Sequence, residues 1–269
     1  RTRIDRSGDN DQVDPSQRTT IGATWGGSNW GIHSSTEVNY DLDGVNGPGA
    51  SLSVYEAYAS TDLLGYASMT IGRQALDYGS GLVVGSNQWA SGAEGRNTSD
   101  GMTFGLDLDV ADVTLGYNAR MDDAADGTGA AGWHMNASKS DGDWTANLLY
   151  GVNSTTTAGV DGDDFTYMGL DLGYTVSGVD LSLSYNTTDN GATDGDGDMT
   201  MIGAAYNVND QMSIHASRTT YGDNGFGDDL TSNYAMGAGS WMSHGNMGYL
   251  DDNDERMSYG GSYEMGGIS

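Results

Sequence analysis

The chain has 269 residues, of which 36% are hydrophobic, 43 are Gly, 2 are Pro and none is Cys, and its formal net charge is -28. The lack of Cys excludes disulfides, thiol catalysis and thiolate zinc sites, and no basic patch is present that nucleic acid could use. Low hydrophobicity with high charge is typical of disordered chains, but 16 Tyr and 6 Trp placed inside alternating segments exclude that class.

The opening residues Arg1-Thr2-Arg3-Ile4-Asp5-Arg6 carry neither an initiating Met nor a signal peptide and read as the interior of a processed protein. Segments of period two then follow one another along the chain, and that period marks strands with one apolar face. Strands are expected at roughly 1–6, 19–26, 29–40, 51–62, 66–76, 101–110, 113–122, 131–140, 143–155, 164–176, 179–189, 198–208, 211–221, 231–242, 245–250 and 256–266. No stretch is apolar for the eighteen or so residues that a membrane helix needs. A chain that meets lipid without such helices has one remaining solution, the closed barrel, whose strands leave no backbone group unpaired.

The connections alternate in kind. Gly26-Gly27-Ser28, Val110-Ala111-Asp112, Asp141-Gly142-Asp143, Ser177-Gly178, Asn209-Asp210 and Ser243-His244-Gly245 are tight turns. Between them lie long acidic stretches, including residues 77–100, STTTAGVDGDD and TDNGATDGDGD. Short turns on one side and long loops on the other describe an outer-membrane barrel. The fold class is therefore all-β: one transmembrane antiparallel up-and-down barrel over residues 1–269, with about 16 strands visible and 16–18 in the complete protein. Gly266-Gly267 reads as a further turn, with Ile268-Ser269 opening another strand.

Strand by strand, one face carries Phe104, Leu106, Leu108 and Val110, then Val113, Leu115 and Tyr117, then Val179, Leu181, Leu183 and Tyr185. The other carries Thr103, Gly105, Asp107 and Asp109, then Thr114, Gly116, Asn118 and Arg120, then Asp180, Ser182, Ser184 and Asn186. The first face suits lipid and the second a wet lumen. Trp25, Trp30, Tyr40, Trp133, Trp144, Tyr150, Tyr221 and Tyr249 stand near strand ends, where interfacial girdles form.

Residues 66–104 carry a more specific pattern: Gly72, Arg73 and Gln74 at a strand end, then Leu76, Tyr78, Gly79, Leu82, Gly85, Trp89 and Arg96, then Asp100-Gly101 opening the next strand. With Arg18-Thr19-Thr20-Ile21-Gly22 and Glu56-Ala57-Tyr58 upstream, this region resembles the alginate export family of outer-membrane barrels and its porin-like relatives. The resemblance implies a barrel of about eighteen strands and a transport role.

The expected function is passive diffusion of small hydrophilic solutes through a non-enzymatic outer-membrane channel. Because 38 Asp and Glu face 10 Lys and Arg, the channel should prefer cations. The alternative is a structural barrel within a larger envelope assembly, or a surface adhesin. Loop 77–100 is the longest, and an inward fold would place Arg73, Gln74, Asp77, Glu94 and Arg96 at a constriction. Lumen charges are expected at Glu37, Asp107, Asp109, Arg120, Asp171 and Asp180. Asp194, Asp196 and Asp198 form a D-G-D-G-D run able to offer oxygens to a loosely held calcium, and no other cofactor is implied. The partners are membrane lipid and lipopolysaccharide, small solutes, and other copies of the chain or envelope components, all at a bacterial outer membrane.

Overall fold

The computed structural model describes residues 2–6, 13–41, 50–85, 98–123, 128–157, 160–189, 191, 196–223, 226 and 253–263. Among these, every regular element is a strand: β1 (Thr2–Arg6), β2 (Val13–Gly26), β3 (Trp30–Asp41), β4 (Ala50–Leu63), β5 (Ala67–Gln74), β6 (Ser99–Asp107), β7 (Asp112–Asp123), β8 (Thr128–Asp141), β9 (Trp144–Thr157), β10 (Val160–Val176), β11 (Val179–Asp189), β12 (Asp196–Asn209), β13 (Met212–Tyr221) and β14 (Glu255–Tyr263). They form one 14-stranded sheet in strict sequence order. Each neighbouring pair for which a register is defined runs antiparallel, as in β10 with β11 and β11 with β12. Among the described residues β1 and β14 share no ladder, so the sheet is not closed between them.

The alternation of connections is present. Residues 27–29, 64–66, 108–111, 142–143, 177–178 and 210–211 make the short turns, and the longest connections, 75–98 and 222–254, leave from the opposite ends of the strands. Ser177 and Gly178 have φ of 52° and 79°. Two positive values are what a two-residue hairpin needs to match the right-handed twist of its strands, and Gly reaches that region without a Cβ clash.

Two expectations about strand number and length are corrected. The segments 231–242 and 245–250 lie outside the described residues, and β13 pairs directly with β14, from Met212↔Tyr263 to Thr220↔Glu255. Among the described residues the sheet therefore has fourteen strands where about sixteen were expected. The stretch 154–164, expected as a loop, is mostly hairpin: β9 runs to Thr157 and β10 starts at Val160, with a register shift between Asp161 and Asp164. The Thr run at 155–157 explains the extension, since β-branched side chains fit a pleated surface whether or not it is apolar.

The two faces of the sheet are segregated, and in the reverse sense to a water-soluble protein. Leu52 is 72% exposed and Leu172 41%, and Ile21, Leu115, Tyr117, Trp133, Leu148, Tyr174, Leu181, Ile202 and Ile214 share their outward face. On the opposite face Glu37, Asn118, Asn153, Ser184 and Asn186 are each 1% exposed. A soluble monomer does not present a continuous apolar surface of this extent. The outward aromatics form pairs near both ends of the strands: Trp25 meets Trp30 edge-on at 4.9 Å beside a short turn, and Trp133 meets Tyr150 at 5.6 Å toward the loops.

A bulge in β4 modifies the pattern once. The ladder steps from Ser35↔Glu56 to Thr36↔Val54, which leaves Tyr55 extra. An inserted residue shifts the alternation by one, so Tyr55, 7% exposed, and Glu56 both belong to the inner face while Val54 and Ala57 stay outside.

Candidate functional site

The inner face is not uniformly polar. Leu149, Phe165, Tyr167, Met199 and Tyr221 break the pattern on β9, β10, β12 and β13, and all are buried. What buries them is the connection after β5. Leu82, Val83 and Val84 are 0%, 3% and 2% exposed and form one cluster with these five residues and Phe226. Each such side chain removed from water stabilises the contact by about 1.5–3 kcal/mol, which is ample to hold a short segment against a wall.

The segment is compact enough to present that apolar run. The Tyr78 N–H donates to the Val84 carbonyl at 3.1 Å, and the Gly81 N–H to the Tyr78 carbonyl at 2.9 Å. Polar contacts then fix its direction. The Ser80 N–H donates to Asp171 Oδ2 at 2.9 Å, Ser80 Oγ lies 3.3 Å from Ser184 Oγ, and Tyr78 Oη lies 2.9 Å from His134 Nε2. Burial pushes the Tyr78 hydroxyl above its ordinary pKa, so it keeps its proton at neutral pH. Gly79 has φ of 56° and a Cβ there would lie 1.9 Å from Asp171 Oδ2, so the close approach to the wall requires glycine. At its start the segment is tied by Glu56, whose Oε1 accepts the Ala75 N–H at 3.3 Å, and by Gln74, whose Oε1 accepts the Thr103 hydroxyl at 3.0 Å.

The residues expected at the constriction separate. Gln74 is inward and 6% exposed, and Asp77 lines the cavity beneath the segment. Glu94 and Arg96 lie outside the described residues. Arg73 does not face inward. It follows Met69 and Ile71 in the outward register of β5, opposite Ala57 on one side and Asp100 on the other, and its Nε and Nη2 form a bidentate pair with Asp100 at 2.8 and 2.7 Å. Strand parity alone decides this, because Gln74 takes the inward position next to it.

Of the expected lumen charges, Glu37 is inward, 3.6 Å from Arg18, with Thr20 and Asn39 donating to it at 3.4 and 3.3 Å. Asp171 is inward and holds Ser80. Asp180 is inward near a short turn and accepts the Thr175 hydroxyl at 2.7 Å. Asp107 closes β6 on the inward register, whereas Asp109 belongs to the turn after it and not to the wall. Arg120 lies on β7 in the same register as Asn118, and its side chain is outside the described set. Asp194 also lies outside it. Asp196 and Asp198 are strand residues paired with Asp189 and Thr187, not parts of a wrapping loop, and among the described residues no three metal-ligating groups gather.

Three features were not anticipated from sequence: the anchor Leu82-Val83-Val84, the Tyr78–His134 contact, and inward Glu56, whose Oε2 lies 3.6 Å from His33 Nε2. The first had a signal. An apolar triplet between Gly81 and Gly85, inside an otherwise polar connection, asks for a buried receptor. The other two depend on fold contacts and on the bulge.

No family model matches the chain and no curated protein matches it, so the resemblance to alginate exporters finds no support there. Solved structures do match. The anion-selective porin of Comamonas acidovorans is 12% identical, with a TM-score of 0.52 over 94% of this chain and 93% of that one. OmpF of Salmonella typhi, solved with daunomycin, is 13% identical with a TM-score of 0.47 over 96% and 94%. OmpT of Vibrio cholerae is 11% identical with a TM-score of 0.46 over 97% and 93%. The chain has the fold of the outer-membrane porin barrels.

Proposed function

We propose that this chain spans a bacterial outer membrane as a porin-like channel through which small hydrophilic solutes diffuse, narrowed by residues 75–85 and preferring cations. One observation carries the reading: apolar side chains are exposed on one face, while polar ones and an inward-folded segment occupy the other. Such a face is stable only against lipid, and such a wall only around water. The preference for cations is supported by the inner-face acids Glu37, Glu56, Asp107, Asp171 and Asp180, set against Arg18 and Arg256 among the described side chains. The selectivity in the Comamonas porin's name belongs to that porin, since 12% identity carries the fold and not the lining.

The native chain has no Cys, which makes single cysteines clean probes of which face is wet. Ser182→Cys should react with a charged thiol reagent in the reconstituted channel and lower its current. Leu183→Cys, its neighbour on the lipid face, should leave the current unchanged. Equal reactivity at the two positions would refute the assignment of faces, and the absence of any current would favour a structural barrel.

The outward pairs Arg73–Asp100 and Arg218–Glu255 sit toward the loop ends of their strands, each at 2.7 Å. We assign them to the outer headgroup boundary, where a charge needs a fixed partner. Asp100→Asn should therefore destabilise the refolded protein more than the double change Asp100→Asn, Arg73→Gln, because the single change leaves an unpaired cation next to lipid. Urea unfolding in vesicles reads the difference, and equal losses would place the pair in open water.

A further inference from the structure

A row of the inner wall beneath the 75–85 segment reads Gly116, His134, Gly151 and Tyr167 across β7 to β10, so each ring stands beside a glycine. Both rings lie over those glycines. A Cβ on Gly116 would fall 1.9 Å from His134 Cε1, and one on Gly151 would fall 2.2 Å from Tyr167 Cζ. The rings therefore occupy the volume that any other residue would fill with its own side chain. Neither glycine has a positive φ, so the space and not the backbone conformation calls for glycine. A glycine inside a strand weakens it and marks a close approach. The segment rests on the two rings: Tyr78 Oη is 2.9 Å from His134 Nε2, and Tyr167 packs with Leu82, Val83 and Val84. A further wall glycine, Gly169, meets the segment directly, since a Cβ there would stand 3.3 Å from Val83 Cγ2.

We propose that Gly116 and Gly151 are positioning residues of the constriction: by lacking side chains they let the His134 and Tyr167 rings lie against the wall, and so set how far the inward segment stands into the lumen. The inference rests on the channel reading for its effect on current, and on the fold alone for the seating of the segment. A methyl group on either glycine would force its ring to retreat by about 1.5 Å to regain ordinary van der Waals separation. The wall blocks one direction. Movement along the wall is blocked too, because His134 is followed in its row by Tyr167, and Tyr167 has Phe165 beside it with ring centroids 6.1 Å apart. His134 and Tyr167 are 2% and 1% exposed, so no open space lies above them either. The retreat goes toward the lumen, where Tyr78 and Leu82-Val83-Val84 lie, and the segment moves with the rings.

Ser80 Oγ and Ser184 Oγ are 3.3 Å apart and the chain has no Cys, so the pair Ser80→Cys, Ser184→Cys reports how the segment is seated by the rate at which its disulfide closes under mild oxidation. In the full chain refolded in vesicles, Gly116→Ala and Gly151→Ala should each slow closure about tenfold, because a misplacement of about 1 Å is costly to two groups that must form a bond. Gly260→Ala is the control. Its Cβ would meet His215 Nε2 at 2.8 Å, a like fit of histidine over glycine on β13 and β14 but away from the segment, and closure should keep the reference rate. In a His134→Ala background Gly116→Ala should have no further effect, since the ring through which it acts is gone. Gly169→Ala is the milder variant should the first two not fold, with a smaller slowing expected, and the thermal transition of the reference protein certifies each. Closure unchanged in the glycine variants, slowed as much by Gly260→Ala, or slowed equally by Gly116→Ala with and without His134 would overturn the positioning role. Potassium chloride conductance separates this from the channel reading: slowed closure with no current in any protein would support the positioning role and overturn the channel, and current with closure unchanged would overturn the positioning role and leave the channel.

Discussion

Arginine in place of Leu172 should lower the stability of the protein refolded in lipid vesicles by about 2–4 kcal/mol, the cost of a basic side chain at the membrane midplane. Leu172 lies in the outward register, between Ala146 of β9 and Leu183 of β11, and the carboxylate on that face of β11, Asp189, is six residues beyond Leu183, too far to pair with the new charge. The contrast is Asp180→Asn, one residue out of phase on the inner wall near a short turn, which gives up only the Thr175 hydrogen bond and should cost little. Urea titration monitored by tryptophan fluorescence measures both. A larger loss for Asp180→Asn than for Leu172→Arg would invert the faces and with them the whole reading.

The second large effect concerns the inward segment. Leu82 is fully buried among Leu149, Phe165, Tyr167 and Met199, so Leu82→Ala should remove about 2–5 kcal/mol from the anchorage of that segment. The ladders β8 to β12 do not depend on Leu82, so the loss is local: the segment leaves the wall and single-channel conductance rises severalfold, with strand content preserved. Tyr78→Phe removes only the contact with His134 and should change conductance far less. Wild-type conductance for Leu82→Ala, with the fold intact, would mean that the segment does not bound the water path.

Much of this was legible in the sequence because a period of two is a strong signal and lipid reverses only its sense. Val179, Leu181, Leu183 and Tyr185 against Asp180, Ser182, Ser184 and Asn186 named the faces of β11 without any fold knowledge. Loop parity named the barrel in the same way. Where the reading failed, the cause is particular. Arg73 resembles a constriction residue by motif, but it is one position out of phase with Gln74, and a single step along a strand changes face. Tyr55 and Glu56 share a face only because of a bulge that no local composition announces. Leu149, Tyr167 and Met199 read as flaws in a polar wall until the triplet Leu82-Val83-Val84 supplies what they bury. The polar segment 154–164 read as loop because acidity and Thr content were weighed as solvation and not as strand propensity.

The central claim is an open, water-filled lumen with an acidic lining. Reversal potential under a potassium chloride gradient tests it most directly, with the protein reconstituted in a planar bilayer of neutral lipid. A potential of the sign given by potassium passing more readily than chloride is predicted. It should shrink toward zero as salt rises, since the screening length falls from about 10 Å at 0.1 M to about 3 Å at 1 M. A potential of the opposite sign would contradict the acidic lining, and no current at any voltage would contradict the channel.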